Sequence, residues 1–266
     1  MKKNPILGII TFIVVLFVIS PLLVIIPTSL TAANYLSFPP EGFSLKWYAK
    51  IFDRQEFVDS FIFSLQLAAI TAVISTLIGV FAGLALHKHK FRGSGFFTTL
   101  LMSPLTVPAL IIGIAALLFF TRIGLAGSFL GLLLSHILIS IPYVVRLVLT
   151  GLSSFDYTLE RAAYIMGAKS YNVFWDITFP LLKPAIMSGM IFAFLTSFDN
   201  VTVSLFMVSP STTTLPLAIF SYMQEVLDPL VASISSVVIL LSLIFIIILE
   251  RVYGLDRLFG SNSQSH

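Results

Sequence analysis

The chain has 266 residues, 58% of them apolar and 10% charged, with a mean hydropathy of +1.03. A soluble domain carries about a quarter charged residues, so this composition cannot coat a water-facing surface; it excludes a soluble enzyme, a disordered chain and a disulfide-stapled secreted protein. There is no cysteine, which removes thiolate chemistry and thiolate-held metals, and the formal net charge of +3 acquires meaning only once the charges are placed.

A helix needs roughly 20 apolar residues to cross the hydrocarbon core, and six stretches predict one. The first, 6–27, follows Lys2 and Lys3. It is too long for the apolar core of a secretory signal and lacks a small-residue cleavage site, so it reads as a retained membrane helix. An outer segment, 28–59, contains Leu45, Tyr48, Ala49 and Phe52 on one helical face with Trp47 nearby, which suits a helix lying at the membrane interface or one that only packs on the bundle rim. The second span, 60–86, carries Gln66, Thr71 and Ser75 close to one face and ends in the basic turn Lys88-His-Lys-Phe-Arg92, where His87 and His89 read as interfacial.

The third span, 95–120, is interrupted by Ser103, Pro104, Thr106 and Pro108, which predict a proline kink held between neighbouring helices. The fourth, 127–145, contains His136 beside Ser135; with no acid or second histidine at ligand spacing, it reads as a helix–helix hydrogen-bonding residue and not a metal ligand. The fifth, 184–208, contains Asp199. On the outer side, Ser209-Pro-Ser-Thr-Thr-Thr-Leu-Pro216 is turn-rich, and 215–226 predicts a short helix at the outer mouth. The sixth span is 229–249.

Orientation follows from Lys and Arg, because positive loops stay in the cytoplasm. With the N-terminus inside, the inner side holds Lys2, Lys3, Lys88, Lys90, Arg92, Arg146, Arg161, Lys169, Lys183, Arg251 and Arg257, and the outer side holds Lys46, Lys50, Arg54 and Arg122. That distribution predicts an all-α integral membrane protein of six spans, a single domain over 1–266, with both termini cytoplasmic.

The inner loop 151–183 carries the most information. Asp156 or Thr158 can cap a helix. Leu159, Ala162, Ala163 and Met166 then fall at i, i+3, i+4 and i+7, an apolar stripe. Gly167 stands where a left-handed cap would end that helix. Ser170 predicts the cap of a second helix, which Pro180 closes or kinks. The result is a helix–turn–helix whose stripe either docks into another protein's groove or lies on lipid.

These residues resemble the permease subunits of type I ABC importers, whose loop reads Glu-Ala-Ala, three residues, Gly, nine residues, Ile, any residue, Leu, Pro. Ala162, Ala163, Gly167, Ile177 and Pro180 match at that spacing; Phe179 replaces the leucine, and Arg161 stands at the glutamate, with Glu160 the nearest acid. The resemblance implies a coupling helix over 159–166 that seats on an ATPase subunit. It also implies a second permease subunit, two ATP-binding cassette subunits and a solute-binding protein docking on the outer face, near Glu225 and Asp228. The setting it implies is a bacterial inner membrane, with no cofactor, metal or nucleic acid. Consistently, no Gly-x-x-x-x-Gly-Lys-Ser/Thr loop occurs, so the chain does not itself cradle ATP phosphates.

An ionisable group within a membrane span is a functional candidate by default. Asp199 lies about 16 residues into the fifth span, roughly 24 Å from its inner end, accompanied by Ser197, Asn200, Thr202 and Ser204. It either lines the translocation path and holds an amine-bearing solute, or it caps a backbone break or pairs with a partner's cation. The stretches 197–206 and 38–48 resemble polyamine-type permeases, whose relatives also carry ferric iron, thiamine or aminophosphonates. A self-sufficient secondary transporter would need inverted repeats or several buried ionisable groups, and an intramembrane hydrolase would need a nucleophile motif; neither is found.

Overall fold

The structure is a computed structural model describing residues 5–88, 92–209 and 212–253. Lys2, Lys3, His89, Lys90, Pro210, Ser211 and Arg257 of the sequence reading lie outside the described residues. In chain order the helices are α1 (Pro5–Ser29), α2 (Lys46–Asp53), α3 (Gln55–Lys88), α4 (Ser94–Met102), α5 (Ala109–Arg122), α6 (Phe129–Ser153), α7 (Tyr157–Ile165), α8 (Ser170–Val173), α9 (Phe179–Phe198), α10 (Thr202–Met207), α11 (Leu215–Glu225) and α12 (Pro229–Tyr253). No strand occurs among the described residues beyond a single antiparallel bridge, Thr31 to Phe43.

Among the described residues, four helical runs are long and apolar enough to cross a bilayer: Ile6–Ser29, Gln55–Lys88, Phe129–Ser153 and Ser170–Phe198. The third predicted span is different. It splits into Ser94–Leu105 and Ala109–Arg122, bent by 101° at the break, where the sequence led us to expect a kinked helix. Pro108 has no N–H to donate and drives Val107 out of helical geometry. Ser103 instead takes the N–H groups of Thr106 and Val107 at 3.0 and 3.1 Å, closing a tight turn.

Chain contacts divide the molecule into two units. The first, 5–59 with 218–248 in its described part, joins α1, α2 and α12 through hydroxyls. Ser29 and Tyr48 share a 2.6 Å hydrogen bond, Tyr48 donates to Ser236 at 3.2 Å, and Ser233 donates to the Ser29 carbonyl at 3.0 Å. The α2 helix is anchored by Trp47, which is buried, donates to the Ala33 carbonyl at 3.2 Å and lies under the Lys46 and Lys50 ammonium groups. Leu45 and Phe52 of the predicted face are instead exposed.

The second unit, 60–217 with 249–253 in its described part, is built on α3, α6 and α9. Ala72, Val80, Val144, Val148, Leu182 and Ile186 form its main apolar cluster, and a second cluster joins α3, α5, α6 and α10 around Leu67, Phe120, Leu132 and Met207. Close approach of α3 to α6 depends on the Gly79-Val-Phe-Ala-Gly83 run. A Cβ at Gly79 would lie 2.6 Å from the Val144 Cβ, and one at Gly83 would lie 2.7 Å from a Val148 methyl. Small residues four apart let membrane helices bring their backbones together. On α3, Thr71 and Ser75 are buried but Gln66 is exposed, so the three do not share a face.

Candidate functional site

The predicted loop is a capped helix with two distinct faces. Asp156 Oδ1 accepts the Thr158 N–H at 2.9 Å and the Thr158 hydroxyl at 2.7 Å, and those bonds hold its carboxyl below the usual range. At the other end Gly167 has φ of +86°. Its N–H reaches the Tyr164 carbonyl and that of Ala168 reaches Ala163, both at 3.0 Å; this pair of bonds defines a Schellman cap, which only glycine adopts without a Cβ penalty.

The apolar stripe divides. Ala163 faces inward and is buried, whereas Leu159 and Met166 are 47% and 82% exposed and Ala162 and Arg161 are also exposed. Ile165, outside the i, i+3, i+4, i+7 template, is 87% exposed and belongs to the same outward surface. Glu160 is buried. Its carboxylate receives the Lys88 ammonium at 2.8 and 3.1 Å and the Thr178 hydroxyl.

The second helix of the loop corrects one expectation and narrows another. Ser170 caps nothing; Lys169 is the cap residue and makes no side-chain cap bond. Nor does Pro180 close the helix. The run continues from Ser170 to Phe198 through one wide π turn, Phe174–Thr178. Widening that turn shifts the hydrogen-bond register, so the missing proline N–H and the ring's steric demand fall where no regular bond is broken. Ile177 is half-buried and Pro180 exposed.

The fifth predicted span is not one helix. It ends at Phe198, Asp199 takes φ −89° and ψ 3°, and α10 starts only at Thr202. Asp199 is therefore a cap residue at a break and not a residue within a helix. Asn200 Oδ1 accepts the Val203 N–H at 2.8 Å, satisfying a free donor of the following short helix. Asp199 is exposed, while Asn200 and Thr202 are half-buried. Next to the break, the Phe198 ring stacks on Phe194 at 5.9 Å and meets the edge of Phe61 at 6.3 Å.

Ser197 and His136 sit behind that break. His136 is buried on α6, with Nδ1 2.8 Å from the Ser197 hydroxyl and Nε2 3.1 Å from the Ser204 hydroxyl. Ser204 donates its proton to the Asn200 carbonyl at 2.7 Å. Its oxygen must then accept from Nε2–H, which leaves Nδ1 bare to accept from Ser197. One imidazole thus pins both sides of the break, and Ser197 is engaged in the helix bundle. The sequence reading identified His136 as a helix-bridging residue; its partners, 61 and 68 residues away, had no local signal.

Residues 75–254 match the family of binding-protein-dependent transport system inner membrane components. The chain belongs to that family, the permease subunits of type I ABC importers. It is 31% identical over 227 residues to the spermidine/putrescine transport system permease protein PotC of Escherichia coli (strain K12), covering 85% of this chain and 86% of that one. It is 28% identical over 230 residues to the putrescine transport system permease protein PotI of the same organism, covering 84% and 82%. The fold matches that of a bacterial ABC transporter involved in the import of the acidic polysaccharide alginate, with a TM-score of 0.67 over 95% of this chain and 96% of that one at 18% identity. The permease is thus an inner membrane protein, and its loop residues Ala162, Ala163 and Gly167 stand within the matched region.

Proposed function

We propose that this permease forms half of the translocation pathway of an ATP-driven importer for a small amine-bearing solute of the polyamine class. It pairs with a second permease subunit and two ATP-binding cassette subunits and receives solute from a binding protein on its outer face. In this reading six spans cross the membrane, the bent α4–α5 pair being one and α12 another, with both termini cytoplasmic. The α7 helix is the coupling helix, presenting Leu159, Ala162, Ile165 and Met166 to an ATPase subunit.

The observation that carries the solute assignment is the broken fifth span. The break leaves the carboxylate of Asp199 exposed, directly after Phe198, whose ring stacks on Phe194. A carboxylate supplies countercharge to an ammonium group and aromatic faces attract the same cation, whereas an anion would be repelled. The relatives that transport spermidine and putrescine support the same class.

The test is uptake of labelled spermidine and putrescine into liposomes containing the permease with the subunits that co-purify with it. Uptake should require ATP and binding protein, and Asp199→Asn should reduce it roughly tenfold by removing the countercharge. Equal uptake by the Asn variant would assign Asp199 to capping the break alone.

A further inference from the structure

Glu160 is the hub of a contact that ties three separate elements together. The carboxylate lies on the first turns of α7 with 8% of its side chain exposed. Lys88, the last residue of α3, reaches both of its oxygens, and Thr178, at the end of the π turn leading into α9, donates its hydroxyl to one of them. A second contact joins the same two ends: the His87 ring stacks on Tyr157 at 5.9 Å, with ring planes 10° apart. Tyr157 itself packs against Phe155, which rests on the main apolar cluster of α3, α6 and α9.

This placement separates the charges of α7 by task. Arg161 and the apolar side chains of Leu159, Ile165 and Met166 are exposed and available to another protein. Glu160 is not: it is buried, and both oxygens are already engaged inside the chain. A buried carboxylate is stable only when paired and hydrogen-bonded, and Lys88 with Thr178 meets that requirement.

We propose that Lys88 and Thr178 are positioning residues that lock α7, through Glu160, to the end of α3 and to the start of α9, so that a push on α7 moves α3 and α9 as one body. The lever then runs the length of α9, 20 residues or about 30 Å, from the Thr178 contact to the break at Asp199. The idea rests on the importer reading above, because it needs an ATPase subunit to displace α7.

The experiment compares the assembled transporter in liposomes with Lys88→Met, Lys88→Arg and Glu160→Gln versions of the permease, measuring solute taken up per ATP hydrolysed and the amount of ATPase subunit retained. Lys88→Met and Glu160→Gln should keep the ATPase subunits and hydrolyse ATP, yet move roughly tenfold less solute per ATP. Lys88→Arg, which preserves the ion pair, should retain the parent ratio. Parent-like ratios in Lys88→Met overturn the proposal. So does loss of the ATPase subunits in Lys88→Met but not in Lys88→Arg, since the pair would then serve docking instead of transmission. If Lys88→Met is too unstable to purify, a Thr178→Val chain decides: it should lower the ratio with assembly intact, and an unchanged ratio overturns the proposal. A parent complex without ATP-dependent uptake fails the importer reading itself, before any variant is compared.

Discussion

Replacing His136 with phenylalanine keeps a ring in the bundle while deleting both ring nitrogens. Ser197, 2% exposed, then loses the acceptor for its proton, and Ser204 keeps its bond to the Asn200 carbonyl but loses the donor that Nε2 supplied. Interhelical polar contacts within membranes contribute about 0.6 kcal/mol each, because the unfolded chain finds other partners there. Orphaning a buried hydroxyl costs about 1–3 kcal/mol. Two lost contacts with one orphaned hydroxyl therefore amount to roughly 2 kcal/mol, a fall in melting temperature of about 4–8 °C for a chain of this size. His136→Gln retains one donor and one acceptor and should recover part of that loss. Thermal unfolding in detergent, followed by tryptophan fluorescence, reads the stability, and ATP-driven uptake reads whether the break keeps its shape. A His136→Phe chain as heat-stable as the parent, or a Gln variant no better than Phe, would refute the pinning role.

Gly79→Leu should disrupt the seat of α3 on Val144, where no room exists even for a Cβ; overpacking of about 1–3 kcal/mol or more should appear as a lower yield of folded protein and a lower melting temperature. Ile165→Asp with Met166→Asp should leave that temperature unchanged but reduce the ATPase subunit captured with the permease roughly tenfold or more, because the changes strip the exposed apolar face of α7 and touch none of its inward contacts; full capture would remove α7 from the docking surface. Asp156→Ala should fray the first turn of α7, seen as faster amide exchange at Thr158 and Leu159, whereas Asp156→Ser should protect it. Because Thr158 holds the Asp156 carboxyl below its usual value, the cap is present above the unfolded pKa and is lost only as pH falls through the lower folded one. Protection of the first turn should therefore outlast the ordinary titration of a carboxylate as pH falls and fail only in stronger acid.

Much of the loop 151–183 was legible in the sequence because its signals are local. A cap residue, a left-handed glycine and the spacing of Ala162, Ala163, Gly167, Ile177 and Pro180 all fall on one continuous stretch of chain, and the structure places the cap at Asp156 and the stop at Gly167. The hydrophobic runs likewise announced helices of spanning length, since an uncharged apolar run of about 20 residues matches the thickness of a bilayer's hydrocarbon core. Periodicity did not reveal which side of α7 faces inward. Ala163 and Glu160 turn inward and Ile165 outward because of what packs behind them, and Lys88 lies 72 residues away along the chain.

The sequence by itself therefore determined the solvent, the helical class, the family motif and the presence of an acid at Asp199, all properties that composition and short spacing encode. Only the tertiary structure decided that α4 and α5 part by 101°, that the fifth predicted span breaks behind Phe198, and that Pro180 is absorbed by a π turn. Each of these depends on whether a freed backbone group finds a distant partner or a packed neighbour. Proline and asparagine mark where a helix can break; the side chains brought against it decide whether it does.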